Sequence, residues 1–207
     1  MAVNKGIENT LAAFSHAVEV GCTYLETDVH ATSDGVLVAF HDPILDRVTE
    51  SSGVIAAMPW HKVKQAKVGG EPIPTLDEIL DAFPEAFINI DIKHDGATVP
   101  LVDVLSRHRA WHRVCVGSFS SRRIQTFRRL VPERTATAVG PVGVGWAIVG
   151  PHSMQRARSR GDAYQVPHRL TRYGVPLVTP TFIDAAHRLG RAVHVWTIDE
   201  ISEAREL

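Results

Sequence analysis

Residues 24–30 read Y-L-E-T-D-V-H, and the alternation in that run decides the fold. Side chains on a strand point to opposite faces in turn. Glu26, Asp28 and His30 therefore share one face, and Leu25 and Val29 share the other. Two further runs behave alike. Residues 36–42 (V-L-V-A-F-H-D) put Ala39 and His41 opposite Val38 and Phe40. Residues 87–93 (F-I-N-I-D-I-K) put Asn89, Asp91 and Lys93 opposite Ile88, Ile90 and Ile92. A strand that is apolar on one face and acidic on the other is unusual. Converging carboxylates cost electrostatic energy unless a cation neutralises them, and a divalent metal is the economical explanation.

Upstream of these runs, L-A-A-F-S-H-A-V-E-V places Leu11, Phe14, Ala17 and Val18 at helical spacing. Asn9 or Thr10 caps that helix and Gly21 ends it. The T-S-D-G between the first two runs is turn chemistry. Residues 43–74 hold Gly53, Pro59, Gly69, Gly70, Pro72 and Pro74 with little periodicity and read as a loop insertion, a functional one given its length. Thr75 and Glu78 form a capping box that opens a helix through Ile79 and Leu80. Further on, the pattern predicts helix at 100–109, strand at 114–119 and helix at 121–131, with Ile124, Phe127 and Leu130 inward. Two weaker strand candidates, 135–139 and 163–166, flank an irregular G-P-V-G-V-G-W-A-I-V-G-P. Helix at 182–189, an apolar strand at 192–198 and the start of a last helix complete the chain.

Strand and helix alternate with connections too long for simple hairpins, which argues for a parallel sheet covered by helices. In an eight-stranded barrel the active site lies at the carboxyl ends of the strands, where the polar residues at 26–30, 41–42 and 91–93 fall. The doubly wound alternative requires a glycine-rich turn after the first strand, which is absent, and Gly143 and Gly145 read as loop. The expected fold class is therefore α/β, a TIM-type (β/α)8 barrel, with residues 1–207 as one domain.

Composition excludes several classes. With 207 residues, 44% hydrophobic, 22% charged and a formal charge of -1, the chain has no field that would draw nucleic acid. No apolar run reaches membrane-spanning length, and the opening M-A-V-N-K-G is no leader, so a cytoplasmic location is expected unless a signal segment precedes Met1. Cys22 and Cys115 lie in apolar surroundings and are expected to be buried and reduced.

The motifs G-I-E-N-T-L-A-A-F, E-T-D-V-H-A-T-S-D-G, L-V-A-F-H-D, L-D-R-V-T, I-P-T-L-D-E-I-L, I-N-I-D-I-K, G-S-F and V-H-V-W-T-I-D, in that order, resemble the glycerophosphodiester phosphodiesterase family. The resemblance covers nearly the whole chain. It implies a metal-dependent phosphodiesterase barrel that cleaves glycerophosphodiesters to glycerol 3-phosphate and an alcohol. Carried over by motif, Glu26, Asp28 and Asp91 are metal ligands for Mg²⁺ or Ca²⁺, Asp91 standing where the family usually has glutamate. Lys93 neutralises a phosphate oxygen and His41 is one of two catalytic histidines. Glu8 orients first-strand residues at the substrate end, and Trp196 lines the mouth of the site.

The family's other histidine belongs to an H-R-G motif that this sequence lacks, and a last strand and helix past the W-T strand are missing too. An incomplete barrel follows as an expectation. An inactive remnant or binding module is one alternative, and a lysophospholipid-cleaving enzyme of the lysophospholipase D kind is another. Residue by residue, plainer readings stand beside the sharp ones. His30 packs at a strand end or assists the site. Trp196 belongs to the core beside Val193, Val195 and Ile198. His16, His61, His108, His152 and His187 are surface or satisfied polar positions, and Arg156, Arg158, Arg160, Arg169 and Arg172 form a solvated face. Arg47 anchors the long loop. None of this fixes an oligomeric state.

Overall fold

In a computed structural model, residues 6–131, 135–150, 160–170 and 174–207 are described. The start of the chain, His152, Arg156, Arg158 and Arg172 lie outside those residues. The chain divides into two compact units at Thr135.

The first unit is built on strands whose faces match the alternation of the sequence. Helix α1 (Leu11–Glu19) is capped by Thr10, whose hydroxyl accepts from Ala13 N. Strands β1 (Tyr24–Ala31) and β2 (Leu37–Ala39) follow. They pair antiparallel, Val29 against Ala39 and Ala31 against Leu37. The second run is therefore the return arm of a hairpin and not a parallel barrel strand. The T-S-D-G turn explains this, because Val36 O and N bond back to Thr32 and close a connection too short for a crossover.

Residues 43–74 carry more structure than a loop. A 3₁₀ turn at Ile55–Ala57, helix α2 (Trp60–Val63), and a hairpin of β3 (Lys67–Val68) with β4 (Glu71–Pro72) occupy the segment. Leu45, Ile55, Val63, Ala66, Val68 and Ile73 bury their side chains with Val38 and Phe40 of the hairpin arm, giving the insertion a small core of its own.

Helix α3 (Leu76–Ala82) opens with the capping box read from sequence. Strand β5 (Phe87–Ile92) runs parallel to β1, and β6 (Val114–Gly117) runs parallel to β5. Helices α4 (Thr98–Arg107) and α5 (Ser121–Leu130) cover them. Ile88, Ile90 and Ile92 are buried with Leu101, Leu105 and Phe127, and each such side chain contributes roughly 1.5–3 kcal/mol on burial. That apolar layer fixes which face of β5 carries Asn89 and Asp91. A one-residue slip would exchange the two faces. Arg113, itself buried, donates to the carbonyls of Leu80, Phe83 and Ala86 and so closes the end of α3.

The second unit holds β7 (Ala136–Thr137), helix α6 (Pro141–Val149), β8 (Ala163–Pro167), a small hairpin of β9 (Arg169–Leu170) with β10 (Val175–Pro176), helix α7 (Pro180–Arg188), β11 (Ala192–Trp196) and helix α8 (Ile201–Glu206). β8 and β11 are parallel neighbours, so 163–167 is the fuller of the two weak strand candidates. Tyr164, Val166, Phe182 and Ala186 form the core, with the Tyr164 and Phe182 rings edge to face at 5.5 Å. The glycine-containing segment read as irregular is helix α6. Pro141 sits at its first turn, where proline is well placed, and Ala147 packs into the core with Val144 beside it.

Two burial expectations fail. Cys22 is exposed beyond the end of α1 and Cys115 is half-buried, both as free thiols. Trp196 is 40% exposed at the end of β11 and is no core residue. His168, by contrast, is buried and bonds Glu203 of α8 through Nδ1 at 2.8 Å. Among the described residues no helix is long and apolar enough to cross a membrane.

Candidate active site

The parallel register of β1 and β5 places Glu26 beside Asn89 and Asp28 beside Asp91. Neighbouring strands lie about 4.8 Å apart, so the carboxylates of Asp28 and Asp91 meet across the pair. Lys93, one residue past the end of β5, fills the space between them. Its Nζ lies 2.9 Å from Asp28 Oδ1 and 3.0 Å from Asp91 Oδ2. The Phe119 ring, beyond the end of β6, has its centroid 5.6 Å from the same ammonium.

One ammonium does not balance three carboxylates. Desolvation and the neighbouring Asp28 and Asp91 push the Glu26 carboxyl up to about 8, against the pull of Lys93. Glu26 is exposed to solvent at its position on β1, which screens part of this push. Burial also pushes Asp91 up, with Lys93 opposing. Lys93 is lowered by burial, but its bonds to Asp28 and the charge of Asp91 outweigh this and hold its pKa above the usual lysine range. Asp91 Oδ1 is buried without a hydrogen-bond partner. Orphaned buried acceptors are rare and call for an occupant.

Oxygen-only donors with surplus negative charge suit a hard divalent cation. Among the described residues, no three histidine, cysteine or acidic side chains are grouped as ligands, and the tethered ammonium of Lys93 holds the position between Asp28 and Asp91. The residues fit such a cation in chemistry and charge, with Lys93 as its competitor.

Asp28 is held from a second side by a residue whose part the sequence reading missed. Asn9 adopts a left-handed backbone (φ 57), which asparagine tolerates better than most residues. Its Oδ1 accepts from the Thr27 hydroxyl at 2.8 Å and from Asp28 N at 3.4 Å, while Nδ2 donates to Asp28 Oδ2 at 3.4 Å. Asn9 lies before α1 and is not its cap. The E-N-T motif was visible; the long-range target was not.

His41 follows β2, whose antiparallel course carries it back along β1, with Phe40 N donating to Asp28 O at 3.0 Å. Buried His30 holds the His41 backbone, its Nε2 lying 3.2 Å from His41 O. The His41 ring is about half exposed, and its Nδ1 lies 2.6 Å from Asp42 Oδ1. Arg47 Nε donates to Asp42 Oδ2, and the Arg47 guanidinium also donates to Glu8. Glu8 thus pairs with Arg47, and Arg47 ties its own segment to both Asp42 and Glu8. Trp196 belongs to the second unit, at the carboxyl end of β11.

A family model described as the glycerophosphoryl diester phosphodiesterase family matches residues 2–207. The chain belongs to that family. Among curated proteins, it is 40% identical over 198 residues to the probable glycerophosphodiester phosphodiesterase 2 of Mycobacterium tuberculosis, covering 93% of this chain and 74% of that protein. Among solved structures, the glycerophosphodiester phosphodiesterase of Agrobacterium tumefaciens superposes with a TM-score of 0.78 at 23% identity, covering 99% of this chain and 87% of that one. An Oleispira antarctica phosphodiesterase, solved with the product sn-glycerol-3-phosphate, gives 0.78 at 23% identity, with 99% and 85% covered. These likenesses show the fold: this glycerophosphodiester phosphodiesterase family member has the α/β, TIM-type architecture expected from its sequence.

Proposed function

We propose that this chain hydrolyses glycerophosphodiesters to glycerol 3-phosphate and an alcohol, using Mg²⁺ or Ca²⁺ held by Glu26, Asp28 and Asp91, within a single domain spanning residues 1–207. The observation that carries the reading is the register that sets Asp28 against Asp91 with the Lys93 ammonium between them. A bound divalent cation would polarise a phosphoryl oxygen and stabilise the charge that develops on it.

The chain's own residues supply the rest. Lys93, held at the carboxyl end of β5, presents a point charge to a non-bridging phosphate oxygen. The Asn9 amide and the Thr27 hydroxyl keep Asp28 in one orientation. Nε2 of His41 accepts a proton from the water that attacks phosphorus, and that proton passes on to the alcohol oxygen as its bond to phosphorus breaks, proton handling worth roughly 10²–10⁴-fold in rate. Glu8, through Arg47, and Trp196, at the end of its strand, are assigned to the substrate end. The sn-glycerol-3-phosphate bound by the Oleispira relative supports the product class.

The test is turnover of glycerophosphocholine with Mg²⁺ or Ca²⁺, read by a coupled assay for glycerol 3-phosphate, with Glu26→Ala as control. Turnover well above the control is expected. A wild-type rate equal to the control would end this reading, and strong preference for lysophosphatidylcholine would move it to the lysophospholipid class.

A further inference from the structure

The geometry points to Asp42 and Arg47 as positioning residues that fix which ring nitrogen of His41 faces the reaction, with Glu8 as the anchor of the pair. This rests on the hydrolase reading of His41 and extends it to three side chains outside the proposed cation site.

A half-exposed histidine has two nitrogens and several rotamers, and only one nitrogen in one orientation can serve a proton transfer. An ionised carboxylate accepts hydrogen bonds and cannot donate them. Asp42 Oδ1, at 2.6 Å, therefore accepts a hydrogen bond from Nδ1–H, which keeps the ring proton on Nδ1 and leaves Nε2 as the working atom. A neighbour one residue along the chain would by itself fix little, since the two side chains can swing together. Asp42 is fixed from elsewhere. It precedes Pro43, which disfavours the helical region for its backbone. Its second oxygen is taken by Arg47 Nε, so both oxygens are committed, one to the histidine and one to the guanidinium.

Arg47 is fixed in turn. Its terminal nitrogens donate to both oxygens of Glu8, which stands 39 residues earlier in the chain. The planar fork of arginine suits this double role, and a lysine could not reproduce it. The Asp42 side chain is only 19% exposed, against roughly half for Arg47 and His41 on either side. Exposed ion pairs add little stability, so stability alone gives this chain of contacts small purpose. With His30 gripping the carbonyl of His41 and Asp42 gripping its ring, both ends of the residue are set.

The experiment compares full-length wild type with Asp42→Asn and Arg47→Ala. Kinetics on glycerophosphocholine, Tb³⁺ titration and histidine ¹⁵N chemical shifts are the readouts. In Asp42→Asn, kcat falls about 10²-fold while KM stays within about twofold. Tb³⁺ affinity is unchanged. The neutral His41 ring carries its proton on Nδ1 in the wild type and shifts toward Nε2 in the variant. Arg47→Ala lowers kcat by about tenfold, and added ethylguanidinium restores part of the loss. Unchanged kcat in both variants, a loss confined to KM, or the same tautomer in wild type and Asp42→Asn would overturn the assignment. If the wild type does not cleave glycerophosphocholine, the hydrolase reading falls, and the ¹⁵N measurement still decides the positioning pair.

Discussion

Asp28 and Asp91 share a single ammonium, with Glu26 near enough to feel their charge, whereas Asp42 and Glu8 divide a single guanidinium between them and add a histidine. The first cluster has more negative charge than one ammonium satisfies, and it pushes carboxyls above their ordinary range: burial and mutual repulsion raise Glu26, and burial raises Asp91. The second is satisfied. Burial pushes Asp42 up, but the bonds from Arg47 and His41 outweigh it and hold Asp42 below the ordinary carboxylate range. Carboxylates of one chain thus do different work. One set is kept short of positive charge, and the other is spent on holding a side chain still.

That contrast can be broken most forcefully at Lys93. Replacing it by methionine leaves the carboxylates facing one another, and losing one partner of a largely buried ion pair costs about 3–5 kcal/mol. Urea unfolding of Lys93→Met in EDTA should show this loss, and saturating Ca²⁺ should return much of it. Wild-type stability without added cation would mean the acids were never in competition for charge.

Asn9→Ala comes next. It strands the Thr27 hydroxyl, which is fully buried, and frees one oxygen of Asp28. A loss of about 1–3 kcal/mol is expected by thermal or chemical denaturation. Tb³⁺ affinity should weaken with it. A change confined to stability would reduce Asn9 to a packing residue.

The two clusters also differ in their dependence on pH, because their slopes run in opposite directions. Glu26 has a folded pKa above its unfolded value, so its contribution is present at acid pH and lost as pH rises through about 8. Asp42 has a folded pKa below its unfolded value, so its contribution is present above the ordinary carboxyl range and lost as pH falls through the depressed value. In cation-free protein, Glu26→Gln should flatten the alkaline decline and leave the acid limb as it is. An unaltered alkaline limb would remove Glu26 as its source.

The smallest effect is expected at Arg47. Arg47→Met should change stability by less than about 1 kcal/mol, the usual worth of exposed ion pairs. A larger loss in urea would give the guanidinium a part in global stability beyond its ion pairs.

Much of this was legible in the alternation of E-T-D-V-H and I-N-I-D-I-K, since a buried apolar face fixes the opposite face. The capping box at Thr75 and Glu78 was legible for a local reason, both partners lying within one turn. What stayed hidden depended on distant partners. The second run was read as one more parallel strand, although its short turn demanded a hairpin. Helix α6 was hidden by Gly143 and Gly145, whose poor helix propensity is overridden by packing of Ala147 and Val144. The insertion at 43–74 showed no period because its buried residues come from a 3₁₀ turn, a short helix and a tiny hairpin in succession. Asn9 and Arg47 reach partners 19 and 39 residues away, which no local pattern encodes.

In the proposed cation site, a positive charge tied to the chain by its own stem would also act as a gatekeeper. Sodium or potassium arriving from solution would have to evict a charge equal to its own that never diffuses away, and would gain nothing in electrostatic energy by doing so. An ion of twice the valence gains on every surrounding oxygen. In the proposed cation site, the lysine would therefore favour a divalent over a monovalent ion before any question of ionic radius arises.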